Sequence, residues 1–234
     1  MTKNLIIPVA GKSSRYPGMR PKWLLTMPDG KLMIEKSVTL FDLKKFDRVI
    51  IIALTEHVKK FTSRQTLVKL FKKNISKKVE LIELNKETSC QAETVLNGIL
   101  KAKLKGGIFI KDVDNIFSQK IIKKPINQIS TINSKKIDLL DAKSKSYVDF
   151  DKMGKVINIV EKKVISDYFC CGAYEFKCSD EFIKYSKKCL KKSKNVFISN
   201  VIFSMILDNN YFSYSEAENY IDWGTLRQLR NFQN

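Results

Sequence analysis

The sequence predicts an α/β fold with a mainly parallel sheet and helices on both faces. Short apolar runs recur through the first half of the chain, at 5–10, 48–54, 79–84 and 107–111. Such runs are typical of parallel strands buried on both faces. Segments with helical spacing separate them, so strand and helix alternate as parallel crossover connections require. With 234 residues, 44% of them hydrophobic, the chain can bury a sizeable core.

Three helices are expected between these strands, because apolar residues there recur at helical spacing. The predicted helices are 32–45, 57–73 and 91–103. The resulting order of elements places the carboxyl ends of the strands along one edge of the sheet. Ligands collect at that edge in folds of this class.

The second half of the chain predicts two further strands and three helices. A glycine turn precedes an alternating strand within 154–162, and an aromatic strand is expected at 168–176. Helices are expected at 179–191, 198–207 and 226–230. No internal repeat or low-complexity tract interrupts the pattern, so a single domain is expected.

The charge balance is strongly basic, with a formal net charge of +19 that comes mainly from scattered lysines. Nucleic-acid binders that recognise sequence rely on arginine forks and aromatic platforms. We therefore expect no nucleic-acid partner and interpret the charge as attraction for anionic substrates; a basic nucleic-acid-binding protein is the alternative from another class. No apolar stretch of about 18 residues is present, and the five cysteines lack zinc spacing. A cytoplasmic protein without a membrane partner is expected.

The loop after the first strand is the clearest candidate for an anion site. Residues 10–15 are small, polar and basic, and Lys22 follows shortly after. Such a backbone approaches phosphate closely and offers it N–H groups, while the cations neutralise its charge. The P-loop pattern fails because its first glycine would be Ile6, and the dinucleotide-binding pattern lacks its later glycines.

The chain resembles the nucleotidyltransferases that make nucleoside-diphosphate sugars and similar activated metabolites, whose signature is A-G-x-G-[ST]-R followed by P-K. The matching residues are Ala10-Gly11-Lys12-Ser13-Ser14-Arg15 and Pro21-Lys22, with Ser13 in place of the second glycine. The resemblance implies a GT-A-like fold with a Rossmann-like sheet and a small acceptor-binding lobe. It implies a nucleotide-binding half at 1–115 and an acceptor-binding half at 116–234. It also implies that Arg15 and Lys22 are catalytic residues that act on the triphosphate.

The resemblance extends to the start of the helix near Gln91, which matches the G-x-A-x-A-V stretch that faces the nucleobase in the family. Cys90 stands where the family often has glycine. The nucleotide-binding residues implied are Ala10, Gly11, Lys12, Ser13, Ser14, Ser89 and Gln91. Taken alone, the segment is equally consistent with an ordinary helix N-cap.

Two carboxylates, Asp112 and Asp114, follow the fourth apolar strand. Carboxylates at a strand end offer hard oxygen ligands for Mg²⁺, although aspartate and asparagine also favour turns. The resemblance implies a metal-binding aspartate at either Asp112 or Asp114. It implies a second metal ligand in Asp222, within the D-x-G-T segment at 222–225.

The pattern G-x-V-x-x-I-x-E-K is matched at every position of 154–162. The resemblance implies that Glu161 binds the hydroxyls of an acceptor and that Lys162 binds its phosphate. Gly172 matches a strand glycine against which the acceptor lies. The alternatives are a solvated strand end for the charged pair and a buried aromatic strand without a ligand.

The resemblance therefore predicts transfer of a nucleoside monophosphate from a triphosphate to a phosphorylated small acceptor, with Mg²⁺ as cofactor and release of pyrophosphate. The compact chain favours CTP, and small non-sugar phosphates are acceptors of compact relatives. A sugar 1-phosphate with UTP, dTTP or GTP is the alternative, and a relative that binds nucleotide without turnover is a third. The family adds a role in the synthesis of a cell-surface polysaccharide, and a homo-oligomer is left open.

Overall fold

The computed structural model describes residues 1–137 and 141–233. The strands are β1 Lys3–Pro8, β2 Arg48–Leu54, β3 Val79–Leu84, β4 Gly107–Lys111, β5 Asn115–Ser118, β6 Gln128–Asn133, β7 Ser146–Phe150, β8 Val156–Glu161, β9 Tyr168–Phe176, β10 Ser213–Glu216 and β11 Glu218–Asp222. The helices are α1 Met33–Ser37, α2 Thr55–Phe61, α3 Arg64–Asn74, α4 Gln91–Ala102, α5 Ser179–Leu190, α6 Ile198–Leu207 and α7 Leu226–Gln233. None of these described helices combines the length and apolarity needed to cross a membrane.

The centre of the large sheet is parallel, as the sequence predicts. The sheet follows the order β10-β6-β9-β4-β1-β2-β3. β1 pairs in parallel with β2 and β4, and β2 pairs in parallel with β3. β9 lies antiparallel between β4 and β6, and the β7–β8 hairpin attaches to β9. The prediction of an α/β fold with a mainly parallel sheet is confirmed.

Alternate residues of the central strands face two separate hydrophobic cores. In β1, Leu5 and Ile7 pack in one core and Ile6 packs in the other, because successive side chains of a strand point to opposite faces. All three side chains are fully buried. Since both faces are covered, the central strands are continuous apolar runs rather than alternating ones.

Two predicted helices differ from the observed ones. The segment 32–45 holds only the short α1 before the chain turns at Asp42, whose side chain caps a short 3-10 turn. The segment 57–73 is divided between α2 and α3, because Thr62 is extended and the Ser63 side chain caps the start of α3. Capping side chains offer the backbone an alternative to a continuous helix. The breaks therefore follow from local chemistry that apolar spacing does not report.

A buried ion pair joins β1 to β9. Lys3 Nζ lies 2.7 Å from Glu175 Oε1, and the two side chains are 0% and 2% exposed. Burial lowers the pKa of Lys3 and raises the pKa of Glu175, while the attraction between the two charges opposes each shift. A buried charge of this kind is tolerated only with its partner in place.

Candidate active site

The carboxyl ends of β1 and β4 and the start of α4 meet at one edge of the sheet, where two adjoining cavities open. The cavities have volumes of about 430 Å³ and 550 Å³. The first is lined by all of the predicted nucleotide-binding residues and by both predicted catalytic residues: Ala10, Gly11, Lys12, Ser13, Ser14, Ser89, Gln91, Arg15 and Lys22. The second is lined by the predicted acceptor residues Glu161, Lys162 and Gly172 and by Asp222. The fold thus brings every predicted site residue to one edge of the sheet.

Ser13, which stands at the second glycine of the A-G-x-G-[ST]-R pattern, has a left-handed backbone conformation. Its φ is +53°, in the left-handed region that glycine enters at least cost. The Ser13 hydroxyl accepts a hydrogen bond from the Lys22 N–H at 3.1 Å, and its carbonyl accepts one from the Tyr16 N–H at 2.8 Å. The serine side chain therefore ties the loop to Lys22, which a glycine would not do.

The two predicted catalytic cations converge on Asp114. Lys22 Nζ lies 2.6 Å from Asp114 Oδ2, and Arg15 Nη2 lies 3.6 Å from the same oxygen. Burial alone would raise the pKa of Asp114, but Lys22 and then Arg15 outweigh it, and the net pKa lies well below its usual range. Lys12 differs: it is exposed at the rim and pairs with Glu87 at 2.8 Å. Arg15 and Lys22 are therefore the loop cations placed beside the buried carboxylate.

Asp222 reaches Asp114 through strand pairing between distant parts of the chain. β11 pairs antiparallel with β5, so that Asp222 lies opposite Asn115, and the Trp223 N–H donates to the Asp114 carbonyl at 2.7 Å. A Cβ placed on Gly224 would lie 3.0 Å from Asp222 Oδ1 and 3.5 Å from Asp114 Oδ2. Arg15 Nη1 would lie 3.2 Å from the same Cβ, so the two carboxylates and the Arg15 guanidinium all lie close to Gly224.

Asp112 has different surroundings, although it is only two residues from Asp114. Its Oδ1 accepts a hydrogen bond from the Gln91 side chain, and its N–H donates to the Gly172 carbonyl at 2.7 Å. Burial, followed by the nearby charge of Asp114, raises the pKa of the Asp112 carboxyl. Asp112 thus connects α4 to β9, while Asp114 lies with Asp222 near Gly224.

Lys111 supports the turn between the two carboxylates and was not singled out from the sequence. Its side chain is fully buried, and its Nζ donates to the carbonyls of Asp112 at 2.6 Å and Asn115 at 3.0 Å. Burial lowers its pKa to about 8. A single ammonium group thus satisfies backbone acceptors on both sides of Asp114 and holds the turn in shape.

The chemistry of Asp114 and Asp222 fits Mg²⁺. Mg²⁺ binds proteins through one or two carboxylates and completes its shell with water and substrate phosphates. Both carboxylates are largely buried, with 13% and 10% of their side chains exposed. Within residues 1–137 and 141–233, no group of three or more histidine, cysteine or acidic side chains could enclose a metal. The arrangement suits an ion shared with a phosphorylated ligand rather than one enclosed by protein.

The second cavity surrounds Glu161 and Lys162. Glu161 Oε2 accepts hydrogen bonds from the hydroxyls of Ser146 and Ser199, which fix the carboxylate at the end of β8. Lys162 has a φ of +58°, and its Nζ lies 4.6 Å from the centre of the Phe197 ring. The end of β8 therefore presents an acceptor of hydrogen bonds and a cation to the same cavity.

Tyr16 joins the loop to the C-terminal part of the chain. Its hydroxyl donates to the Trp223 carbonyl, and its ring is buried in a small core with Trp223 and Leu229. Burial raises the pKa of Tyr16 above its ordinary value, so the hydroxyl remains a donor. The residue beside Arg15 is thereby connected to the residue beside Asp222.

No protein-family model matches the chain, and no curated protein matches it. Solved structures do match. A nucleoside-diphosphate-sugar pyrophosphorylase from Vibrio cholerae is 19% identical, with a TM-score of 0.83 over 98% of this chain and 99% of that chain. The inositol-1-phosphate CTP transferase from T. maritima is 12% identical, with a TM-score of 0.76 over 99% and 94%. The CTP:phosphocholine cytidylyltransferase from Streptococcus pneumoniae is 15% identical, with a TM-score of 0.71 over 100% and 98%.

The chain has the fold of these nucleotidyltransferase structures. The resemblance first inferred from short motifs therefore extends over nearly the whole length of the chain. The TM-scores of 0.71–0.83 establish the shared fold, and the roles of individual residues remain predictions.

Within this nucleotidyltransferase fold, Lys145 is a candidate site residue that sequence analysis missed. It directly precedes β7 and lines the second cavity. Its Nζ contacts Asp222 Oδ2 and lies 2.9 Å from the Tyr220 hydroxyl. No motif marked it, because a lone lysine in a lysine-rich sequence carries no local signal.

Proposed function

We propose that the chain is a nucleotidyltransferase that transfers a nucleoside monophosphate from a triphosphate to the phosphate of a small acceptor. The observation that carries this proposal is the wall shared by the two cavities. Arg15, Gln91, Asp112 and Asp114 line both of them. A triphosphate in the first cavity and an acceptor in the second would meet at this wall. The shared fold supports the same reaction class.

The reaction requires positioning and neutralisation of charge rather than a strong base. A phosphate oxygen of the acceptor attacks the α-phosphorus, the bond from that phosphorus to the bridging oxygen breaks, and pyrophosphate leaves with the electron pair. The attacking phosphate is already an anion at neutral pH. The single histidine, His57, is accordingly not required, and it lines neither cavity.

The cations of the two cavities supply much of the neutralisation. Arg15 and Lys22 bind the triphosphate oxygens, and Lys162 binds the acceptor phosphate, so negative charge that develops during transfer is stabilised from both sides. Asp114 and Asp222 would hold Mg²⁺. When bound, that ion adds positive charge next to the phosphates.

We favour CTP as the triphosphate, and Ser89 and Gln91 as residues that contact the nucleoside. Two of the similar structures are named for CTP-dependent transfer, which supports this choice. The alternative is a sugar 1-phosphate uridylyl-, thymidylyl- or guanylyltransferase, supported by the nucleoside-diphosphate-sugar pyrophosphorylase, which has the highest TM-score of the three. A role in making a cell-surface polysaccharide is part of the proposal and follows from the family resemblance.

Pyrophosphate release with Mg²⁺ tests the proposal. CTP, UTP, dTTP, GTP and ATP would each be paired with sugar 1-phosphates, inositol phosphate, phosphocholine and glycerol phosphate. Turnover that requires both substrates supports a nucleotidyltransferase and identifies the pair. If calorimetry detects no binding of any triphosphate and no pyrophosphate is released, the proposal fails.

A further inference from the structure

Asp114 and Asp222 each form an ion pair with a lysine. Lys22 Nζ lies 2.6 Å from Asp114 Oδ2, and Lys145 Nζ contacts Asp222 Oδ2. Lys22 lines the first cavity, where the proposed function pairs it with the triphosphate. Lys145 lines the second cavity, and no sequence motif assigns it a ligand.

Lys145 is held in a nearly buried position. Its side chain is 13% exposed and that of Asp222 is 10% exposed. The Tyr220 hydroxyl lies 2.9 Å from the ammonium group, and the Tyr220 ring lies 5.5 Å from it. In such surroundings an ion pair is only weakly screened by solvent.

The two oxygens of Asp222 face different groups. Oδ2 contacts Lys145, whereas Oδ1 accepts the Gly224 N–H at 2.8 Å and lies with Arg15 Nη1 and Asp114 Oδ2 around Gly224. A divalent cation between Asp114 and Asp222 would lie close to the Lys145 ammonium and would be repelled by it. The second cavity, which Lys145 lines, offers the ammonium space beside a bound acceptor.

We propose that Lys145 is an exchangeable counter-ion of Asp222, which neutralises the carboxylate in the absence of a divalent cation and binds an anionic oxygen of the acceptor when the cation is present. The second half of this statement rests on the proposed function; the first half does not. Divalent cation and acceptor then favour one another's binding, because each takes over one partner of the same ion pair.

Binding of Mn²⁺ to the unliganded protein tests the counter-ion role without turnover. Electron paramagnetic resonance would follow free Mn²⁺ during titration of the wild type and of Lys145→Met, whose side chain is unbranched, uncharged and one heavy atom shorter. Removing a unit charge beside the carboxylate should lower the Kd for Mn²⁺ by about tenfold or more. Lys145→Gln provides a second neutral variant, and thermal unfolding would identify a variant that fails to fold.

Lys143 provides the matched control. It lines the same cavity, and among the described contacts no hydrogen bond or ion pair joins it to Asp222. Lys143→Met should change the Kd for Mn²⁺ by less than about twofold, as expected for a charge that is not paired with the carboxylate and is partly screened by solvent. Adding Asp222→Asn to Lys145→Met should abolish the tighter binding. Unchanged affinity in both folded Lys145 variants, or tighter binding that survives Asp222→Asn, would overturn the proposal.

Steady-state kinetics test the second part of the proposal, that Lys145 binds the acceptor. Lys145→Met should raise the acceptor KM by about tenfold, as loss of a charge-assisted hydrogen bond predicts, and should change the nucleotide KM by less than about twofold. An unchanged acceptor KM would overturn this half. If the wild type turns over no substrate pair, the proposed function fails, while the Mn²⁺ comparison still decides the role of Lys145.

Discussion

Gly172 is the position where one added methyl group should disturb the site most. Its φ is +83°, and a Cβ there would lie 2.6 Å from Asn115 Nδ2 and 2.8 Å from Asp112 Oδ2. Gly172→Ala therefore combines backbone strain with a collision. The left-handed conformation costs a non-glycine residue about 1–2 kcal/mol, and overpacking a tight site costs about 1–3 kcal/mol. The expected loss of unfolding free energy is about 2–5 kcal/mol.

Substitution of Gly30 is a control that separates the backbone strain from the steric collision. It has a similar φ of +78°, but a Cβ there would meet no atom within 4 Å. Gly30→Ala should therefore lose only the strain of about 1–2 kcal/mol. Urea unfolding, followed by fluorescence, would compare both variants with the wild type. At about 2–4 °C per kcal/mol for a chain of this size, Gly172→Ala should also show the larger fall in Tm.

The activity should also fall more in Gly172→Ala than in Gly30→Ala. The methyl group of Gly172→Ala would push against Asp112, which lies on the wall shared by the two cavities, so pyrophosphate release by the folded variant should fall while that of Gly30→Ala is retained. Equal losses of stability and activity in the two variants would refute the reasoning, because they would show that the close approach of Asp112 and Asn115 imposes no constraint.

Three further changes test other parts of the structure. Lys22→Ala should lower kcat for pyrophosphate release by about 100-fold or more without unfolding the chain. Lys12 is exposed, so Lys12→Ala should have a much smaller effect. Equal effects of the two substitutions would contradict the placement of Lys22. Lys3→Met should lower the unfolding free energy, measured by urea titration, by about 3–5 kcal/mol, because it leaves the buried Glu175 carboxylate without its counter-ion. Burial already raises the pKa of Glu175, so the folded state gains stability when that carboxyl is protonated; the loss in Lys3→Met should be smaller at pH 5 than at pH 8, and a pH-independent loss would be inconsistent with this cause. Tyr16→Phe should cost about 1–3 kcal/mol by leaving a buried carbonyl unpaired, as measured by thermal unfolding, and a neutral substitution would show that this bond does not hold the C-terminal segment.

The parts of the fold that were predictable from sequence are those whose signal is local. The strands β1 to β4 are continuous apolar runs because both of their faces are buried, and all four were located. β5, β6, β7, β10 and β11 were not. β10 and β11 are short, and their side chains are mostly exposed or half-buried. β5, β6 and β7 are also short, and they are fixed by pairing with β11 and β9. The break at Thr62 was missed because apolar spacing continues across it while the Ser63 cap interrupts the backbone.

In the candidate site, too, the features with a local sequence signal were predicted and those that depend on the folded chain were not. The loop at 10–15 was located because its chemistry is contiguous in sequence. The sequence leaves the choice between Asp112 and Asp114 open. The pairing of β11 with β5, which brings Asp222 near Asp114, supports the proposal of Asp114. Lys111 and Lys145 were missed for a related reason: each contacts carbonyl or carboxylate groups that only the folded chain brings to it.

The central claim is that the α-phosphorus of a nucleotide is transferred to an acceptor phosphate at the wall shared by the two cavities. A triphosphate labelled with ³²P at the α-position, incubated with the protein, Mg²⁺ and the phosphorylated acceptors, tests this directly. The account predicts that the label moves into a product that resists phosphatase, because it lies within a diphosphate bridge, and that one pyrophosphate is released for each product formed. Label that stays in the triphosphate with every acceptor, or that appears only in the free monophosphate, would contradict it.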